Sequence, residues 1–507
     1  MKNLIPLILI IALATNFVAC DDDDNTTPDG PTIGTPALTN AQVGTTVDIT
    51  FNATVPGGFK SYEVSAVGGT AAKKSEPAAG AKSGNIVVSY TADDNEGAGS
   101  VTVTVTDANN KTESETATIN KTAIPVPNVV VVSGQIDEDT QWTKNNIYEL
   151  ASRVIVTDGA TLTIEAGTII KGREGQGINA TALMVARGGK IQAVGTAEEP
   201  IIMTSVLDDI MPGQKAGSNL DENDKGLWGG LVILGKAPIS FSGALEAQIE
   251  GVPSGEPLGL YGGDDPDDNS GTLKYISIRH GGIEISGGNE INGLTLGGVG
   301  KGTQISDIEV FANFDDGVEF FGGTVDVSNI LVSHQGDDGV DIDQAYSGTV
   351  DGFMVVHAGD TDKGLEIDGP EGAANADGKF VLKNGTIKGS GNVGNPADFK
   401  SKAQGTLENI VFQGYDASQK ILIASSYDGS CVVTSNAFKN LTDGLLTFTK
   451  VKTGGYAVDV YPSSGSCDTT TDDATAAGLV VNDDTATGAP AGDTWNWTIS
   501  SERELIP

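Results

Sequence analysis

Two stretches of the chain, Val310-Phe-Ala-Asn-Phe-Asp-Asp-Gly-Val-Glu319 and Val332-Ser-His-Gln-Gly-Asp-Asp-Gly-Val-Asp341, superpose without a gap at a spacing of 22 residues. A looser copy, Val355-Val-His-Ala-Gly-Asp-Thr-Asp-Lys-Gly-Leu-Glu366, follows. A fixed period of this length, with Gly and acids at the turn and alternate apolar residues after it, marks a solenoid. Such a fold sets equivalent residues of successive coils side by side, so a repeated acid becomes a row of acids.

The strand after each turn Gly alternates. Val318, Phe320, Val340, Ile342, Leu365 and Ile367 are expected in the core, which turns Glu319, Asp341, Asp343, Glu366 and Asp368 outward. Adjacent coils lie ~4.8 Å apart, and this predicts a column of Glu319, Asp341 and Glu366. Two like charges ~5 Å apart repel by roughly 3 kcal/mol at an effective dielectric of ~20. A bound cation, partial protonation or solvent must offset that cost. Hard oxygen donors without a nearby Cys favour Ca²⁺ over zinc. The candidate metal ligands are Asp337, Asp338, Asp341 and Asp343, and the five outward acids are the candidate binding residues. Asp also favours turns through its own side-chain to backbone bonds. A purely turn-forming role therefore stands beside the cation reading for Asp315, Asp316, Asp337, Asp338, Asp360 and Asp362. The same holds for the loop clusters Asp264-Asp-Pro-Asp-Asp-Asn269 and Asp221-Glu-Asn-Asp224.

The alternation extends well beyond the repeat. Val154-Ile-Val-Thr-Asp-Gly-Ala-Thr-Leu-Thr-Ile164 has a degenerate copy in Leu183-Met-Val-Ala-Arg-Gly-Gly-Lys-Ile-Gln-Ala193. Further coils run through Leu227 to Leu234, Leu273 to Ile278 and Ile305 to Phe311. Residues 131–462 are therefore expected to form a parallel β-helix. Residues 32–122 instead show short runs such as Val47-Asp-Ile-Thr-Phe51 and Val101-Thr-Val-Thr-Val-Thr106, the pattern of a small β-sandwich. Residues 123–130 join the two as a Pro-containing linker. Residues 463–507 are Thr-, Asp- and Gly-rich before Trp495-Asn-Trp-Thr498, a segment expected to cap the open end of the solenoid.

Asp158-Gly-Ala-Thr-Leu-Thr-Ile164, Gly226-Leu-Trp-Gly-Gly-Leu-Val-Ile-Leu-Gly235, Asn289-Glu-Ile-Asn-Gly-Leu294 and Asp315-Asp-Gly-Val-Glu-Phe-Phe-Gly-Gly323 resemble exported bacterial right-handed parallel β-helix proteins of the pectin-lyase-like group. That resemblance implies an all-β fold and no single activity, because the architecture carries both enzymes and binders. Val101 to Lys111 resembles a strand and turn of bacterial Ig-like domains. It lacks their Cys pair and central Trp, so only the architecture is implied.

Residues 1–19 form a signal-like segment, with Lys2 ahead of an apolar run from Leu4 to Ala14 that is too short to span a bilayer. Phe17-Val-Ala-Cys20 resembles a lipobox, which makes Cys20 the expected lipidation site. The acidic tether 20–31, opening with Asp21 to Asp24, resembles the surface-export signal of Bacteroidota lipoproteins. The expected location is thus the outer membrane, lipid-anchored at the cell surface. In such an oxidising compartment Cys431 and Cys467 are expected to form a disulfide.

The chain has 30 basic against 68 acidic residues. This argues against nucleic acid, whose phosphates need clustered Lys and Arg. His280, His334 and His357 fall at coil spacing and read as a stacked polar ladder. Trp142, Trp228, Trp495 and Trp497 read as packing residues, with sugar stacking as the alternative. Asn313-Phe-Asp315 and Asp337-Asp338 resemble two polygalacturonase motifs, which place an acid and a base across a glycosidic bond. The Gly-His-Gly and Arg-Ile-Lys motifs of that family have no counterpart here. Asp315, Asp337, Asp338 and Lys363 are the alternative catalytic set, for a Ca²⁺-assisted polysaccharide lyase or glycoside hydrolase. The leading expectation is a non-catalytic module that binds polysaccharide, cation or an outer-membrane protein. An accessory subunit of an outer-membrane complex is a further option.

Overall fold

The computed structural model describes residues 28–123, 127–252, 256–286, 289–463 and 467–506. Cys20, Asp21 to Asp24 and the signal-like segment lie outside the described residues. The chain divides into two compact units, Met1–Val126 and Pro127–Pro507, and the division falls inside the expected linker.

The first unit is a β-sandwich. One sheet orders Thr32–Gly34, Thr46–Thr54, Ser83–Ala92 and Gly69–Ser75; the other orders Thr39–Gln42, Thr112–Thr122, Gly97–Asp107 and Phe59–Val67. Val101, Val103 and Val105 are buried while the intervening Thr residues are only half-buried, so two-residue periodicity selects the inner face. Phe51, Tyr62, Val88, Tyr90 and Ile119 complete this core.

The second unit is a right-handed parallel β-helix built on one parallel sheet system of 23 strands. Short strands at Leu294–Gly297, Val318–Phe321, Val340–Asp343, Lys363–Ile367, Asn395–Phe399 and Lys420–Ser425 stack in register, one per coil. Long strands such as Gln304–Phe311, Val327–Ser333 and Phe380–Gly391 stack on another face. Val318, Phe320, Val340, Ile342, Leu365 and Ile367 all point into the common core, as the alternation predicts.

Five successive long strands bend at a left-handed residue in the same register. Asp307, Asn329, Gly352, Asn384 and Asn409 have φ of 56°, 54°, 80°, 55° and 57°. Short polar side chains and Gly tolerate this conformation. The stacked bends also bond one another: Asn329 donates to Asp307 at 3.0 Å and Asn409 to Asn384 at 2.8 Å.

The C-terminal region departs from the expected cap. The short helices Ala437–Thr442 and Thr470–Leu479 contribute Phe438, Leu441 and Ala476 to the last layer of the core. Trp495 and Trp497 do not cover the open end. The tail runs along the flank of the coils, where Trp495 packs on Leu331, Met354 and Val356, and Ile499 on Phe311 and Ala312. Leu331, Met354 and Val356 point outward from those long strands and are apolar, so they need a cover as much as the open end does.

Cys431 and Cys467 are bonded, with Cα atoms 5.7 Å apart, and close a loop across a sequence separation of 36. The chain-entropy argument assigns such a loop about 4 kcal/mol. A Cys431→Ala/Cys467→Ala variant should therefore show a lower urea midpoint. An unchanged midpoint would mean that the two helices alone hold this end.

Candidate functional site

The outward residues of the short strands form one continuous column: Met184, Val232, Thr295, Glu319, Asp341, Glu366 and Asp398. Its chemistry changes partway along. Met184 and Val232 lie under the segment that carries Ile239, Ala247, Ile249, Val252 and Tyr261. From Glu319 onward every member through Asp398 is acidic. Register places Asp341 directly between Glu319 and Glu366, and Asp343 lies beside Asp368.

The turns before these strands add a second row. Carboxylate oxygens of Asp315, Asp316 and Asp337 lie within 4.8 Å of one another, as do those of Asp316, Glu319 and Asp341. The same spacing holds for Asp338, Asp341 and Glu366, for Asp337, Asp338 and Asp362, and for Asp341, Asp343 and Asp368. The result is an unbroken ribbon of carboxylates.

Within each Asp pair the two residues differ. Asp316 and Asp338 are buried, and their side chains serve the backbone: Asp316 Oδ1 accepts the Asp338 N–H at 2.8 Å, and Asp338 Oδ1 accepts the Lys363 N–H at 2.7 Å. Asp337 is exposed and Asp315 half-buried. Turn-forming and ligand-facing roles are thus divided between neighbours.

Charge compensation is lopsided. Lys363 Nζ lies 2.6 Å from Asp362, 2.9 Å from Glu366 and 3.9 Å from Asp338. Lys400 Nζ lies 2.6 Å from Glu366 and 3.4 Å from Asp368. Burial works against the charged form of Glu366, but hydrogen bonds from Lys400 and Lys363 outweigh it and hold the carboxyl below its usual range. At the other end, burial and then Glu250, Asp341 and Asp316 push Glu319 well above its usual range. Burial, Asp343 and Asp316 do the same to Asp341, and burial with Asp368 and Glu371 to Asp343. Asp316 rises through burial and then Asp315 and Asp338. Burial followed by Glu366 pushes Asp338 up to about 8.

Asp341 Oδ1 and the Asn292 side-chain oxygen are buried without a hydrogen-bond partner, while Asn292 Nδ2 donates to Glu319. Buried oxygens left in this way cost free energy unless something meets them. Asp316, Glu319 and Asp341 together offer hard oxygen donors within 4.8 Å of one another, the donor type that Ca²⁺ prefers.

The structure brings together all the outward acids singled out in the sequence, along with Asp337, Asp338 and Lys363. Burial of Lys363 is outweighed by Asp338, Asp362 and Glu366, which hold its ammonium above the usual range. Its charge partly neutralises the carboxylates around it. The loop clusters are turn formers: Asp221 accepts the Asn223 N–H at 2.8 Å and Asp265 the Asp267 N–H at 3.1 Å.

The three His directly follow long strands, which end at Arg279, Ser333 and Val356. His280 and His334 both pack against Phe311, and His357 Nε2 meets the Tyr415 hydroxyl at 2.8 Å. Burial pulls His357 down to about 4 and lowers the other two, which leaves them neutral packing groups. All four Trp are buried, so none presents a face to a sugar. Sequence reasoning missed Asn292 and Glu250. Neither sits in the repeat, and only the fold carries them to the ribbon.

A family model for a pectate-lyase-like β-helix domain matches residues 134–500. No curated protein matches the chain. Among solved structures, a family 28 exopolygalacturonase from Yersinia enterocolitica is similar at 12% identity and a TM-score of 0.19, covering 86% of this chain and 97% of that one. So loose a likeness places no residue of one chain on a residue of the other.

Proposed function

Because the chain belongs to the pectate-lyase-like β-helix family, we propose that it is a non-catalytic polysaccharide-binding protein whose acidic ribbon takes up a divalent cation, Ca²⁺ being the best fit. One observation carries the reading. Asp316, Glu319 and Asp341 crowd within 4.8 Å at the end of the ribbon where neither Lys363 nor Lys400 makes an ion pair. The unpartnered Asp341 Oδ1 supports it, being a buried oxygen with no donor to meet it. The ion would hold those oxygens and relieve their repulsion, while the exposed acids further along would face the glycan. In this reading lipidated Cys20 anchors the protein at the outer membrane, with the sandwich of residues 32–122 as a spacer.

Calorimetric titration of Ca²⁺ into chelator-stripped protein should give saturable heat that Asp341→Asn reduces at least about tenfold in affinity. No heat with the wild-type protein would end the cation reading. A polysaccharide panel scored for both binding and chain cleavage tests the rest. Co-purification with a membrane protein, without any glycan binding, would favour an accessory subunit instead.

A second reading, depolymerisation, is favoured by one contrast. Asp338 is pushed up to about 8 while Glu366 beside it is held low, and environments that separate two carboxyls in this way define acid and base pairs. Against it, Asp338 is only 3% exposed and serves the backbone. If shortened or unsaturated products are released, an Asp337→Asn/Asp338→Asn variant should release none. Undiminished cleavage by that variant would remove these residues from the reaction.

A further inference from the structure

Among the described residues, one aromatic side chain is exposed: Phe314, at 51%. Every other described Phe, Tyr and Trp is buried or half-buried. Aromatics are only 6% of this acidic chain, and leaving a phenyl ring in water forgoes the burial that stabilises the others. Phe314 sits in the turn that opens the ribbon, with Asp315 and Asp316 directly after it and Asp337 one coil on.

The turn holds the ring in a defined place. The Phe314 N–H donates to the Gly281 carbonyl at 2.9 Å, and the Gly336 N–H to the Asn313 carbonyl at 2.8 Å. Asn313 Nδ2 closes the same turn on the Asp316 carbonyl at 2.7 Å. The ring also rests against Gly226: a Cβ there would stand 3.4 Å from Phe314 Cβ and 3.6 Å from its Cγ. A side chain so braced presents area to a ligand at low entropic cost.

We propose that Phe314 is a stacking platform for a pyranose ring of a neutral polysaccharide, with Asp315 and Asp337 accepting hydrogen bonds from the sugar hydroxyls. The inference rests on the polysaccharide-binding reading and narrows it. Sugar C–H faces pack on phenyl rings, and carboxylates are strong acceptors for hydroxyl donors. The same carboxylates would repel a uronate at this position, since the cations around them are already paired: Lys225 with Asp360 at 2.6 Å, Lys363 with Asp362 and Glu366, and Lys400 with Glu366.

The test compares the full chain with Phe314→Ala and Phe314→Trp, using neutral β-glucan, mannan and galactan alongside polygalacturonate, each with and without Ca²⁺. Phe314→Ala should keep the wild-type melting temperature, because its side chain is exposed. It should bind the neutral polysaccharide about tenfold more weakly, with binding kept in Phe314→Trp. Equal binding by the wild type and Phe314→Ala would overturn the platform and leave the polysaccharide reading standing. Binding confined to polygalacturonate and indifferent to Phe314 would do the same. Failure of the wild type to bind any polysaccharide would remove the reading itself and the platform with it.

Discussion

Glu309→Ala is expected to loosen the C-terminal tail and cost about 3–5 kcal/mol. Glu309 is fully buried beneath that tail. Its Oε1 accepts from the Ser500 N–H at 2.9 Å and the Ser500 hydroxyl at 2.7 Å; its Oε2 accepts from the Ile499 N–H at 3.0 Å and the Ser277 hydroxyl at 2.6 Å. Ser277 in turn accepts from Arg279 Nε at 2.7 Å. Arg279 is fully buried, and burial lowers its pKa while Glu309 chiefly opposes that shift. Removing the carboxylate leaves four donors unmet and takes away the charge that chiefly offsets the burial of the guanidinium. Denaturant unfolding measures the loss, and limited proteolysis reports whether the chain beyond about residue 489 comes free. A variant as stable as the parent, with a protected tail, would refute this account of how the segment is held.

The ribbon carries the second large effect. Asp316, Glu319, Asp338, Asp341 and Asp343 have folded-state pKa values raised above their ordinary ones. Groups shifted upward bind protons more tightly when folded. Their stabilising contribution is complete below the unfolded carboxylate values near ~4 and is lost as pH rises through the folded values. For Asp338 that window closes at about 8. Metal-stripped protein should therefore melt at a higher temperature near pH 5.5 than near pH 8. A cation takes the place of the missing protons, so Ca²⁺ should restore stability at pH 8 and matter little at pH 5.5. At a hundredfold excess over Kd the gain is about 2.7 kcal/mol, or roughly 3 °C in a unit of this size. Asp341→Asn should flatten both responses. Stripped protein that is most stable at pH 8 and indifferent to Ca²⁺ would contradict the assignment.

The coil architecture was legible because each coil must bury the same face. Val318, Val340 and Leu365 repeat for that reason, and fixed spacing carries Glu319, Asp341 and Glu366 into one column. The disulfide partners followed from there being two Cys left beyond Cys20. The tail was misplaced for a physical reason as well. Trp495 and Trp497 announce that something apolar needs covering, but the covered face is built from Leu331, Met354 and Val356 on separate coils. No local pattern records that those side chains meet.

Periodicity alone therefore determined the winding, the inward and outward faces, and the stacking of the acids, because a two-residue alternation and a fixed coil length leave few other arrangements. Tertiary structure decided which acids are buried, which the two lysines neutralise, and that Phe314 alone among the described aromatics stands in solvent. Burial and charge compensation depend on segments distant in sequence, such as Asn292, Lys400 and the loop bearing Glu250, whose arrival at the ribbon only the folded chain specifies.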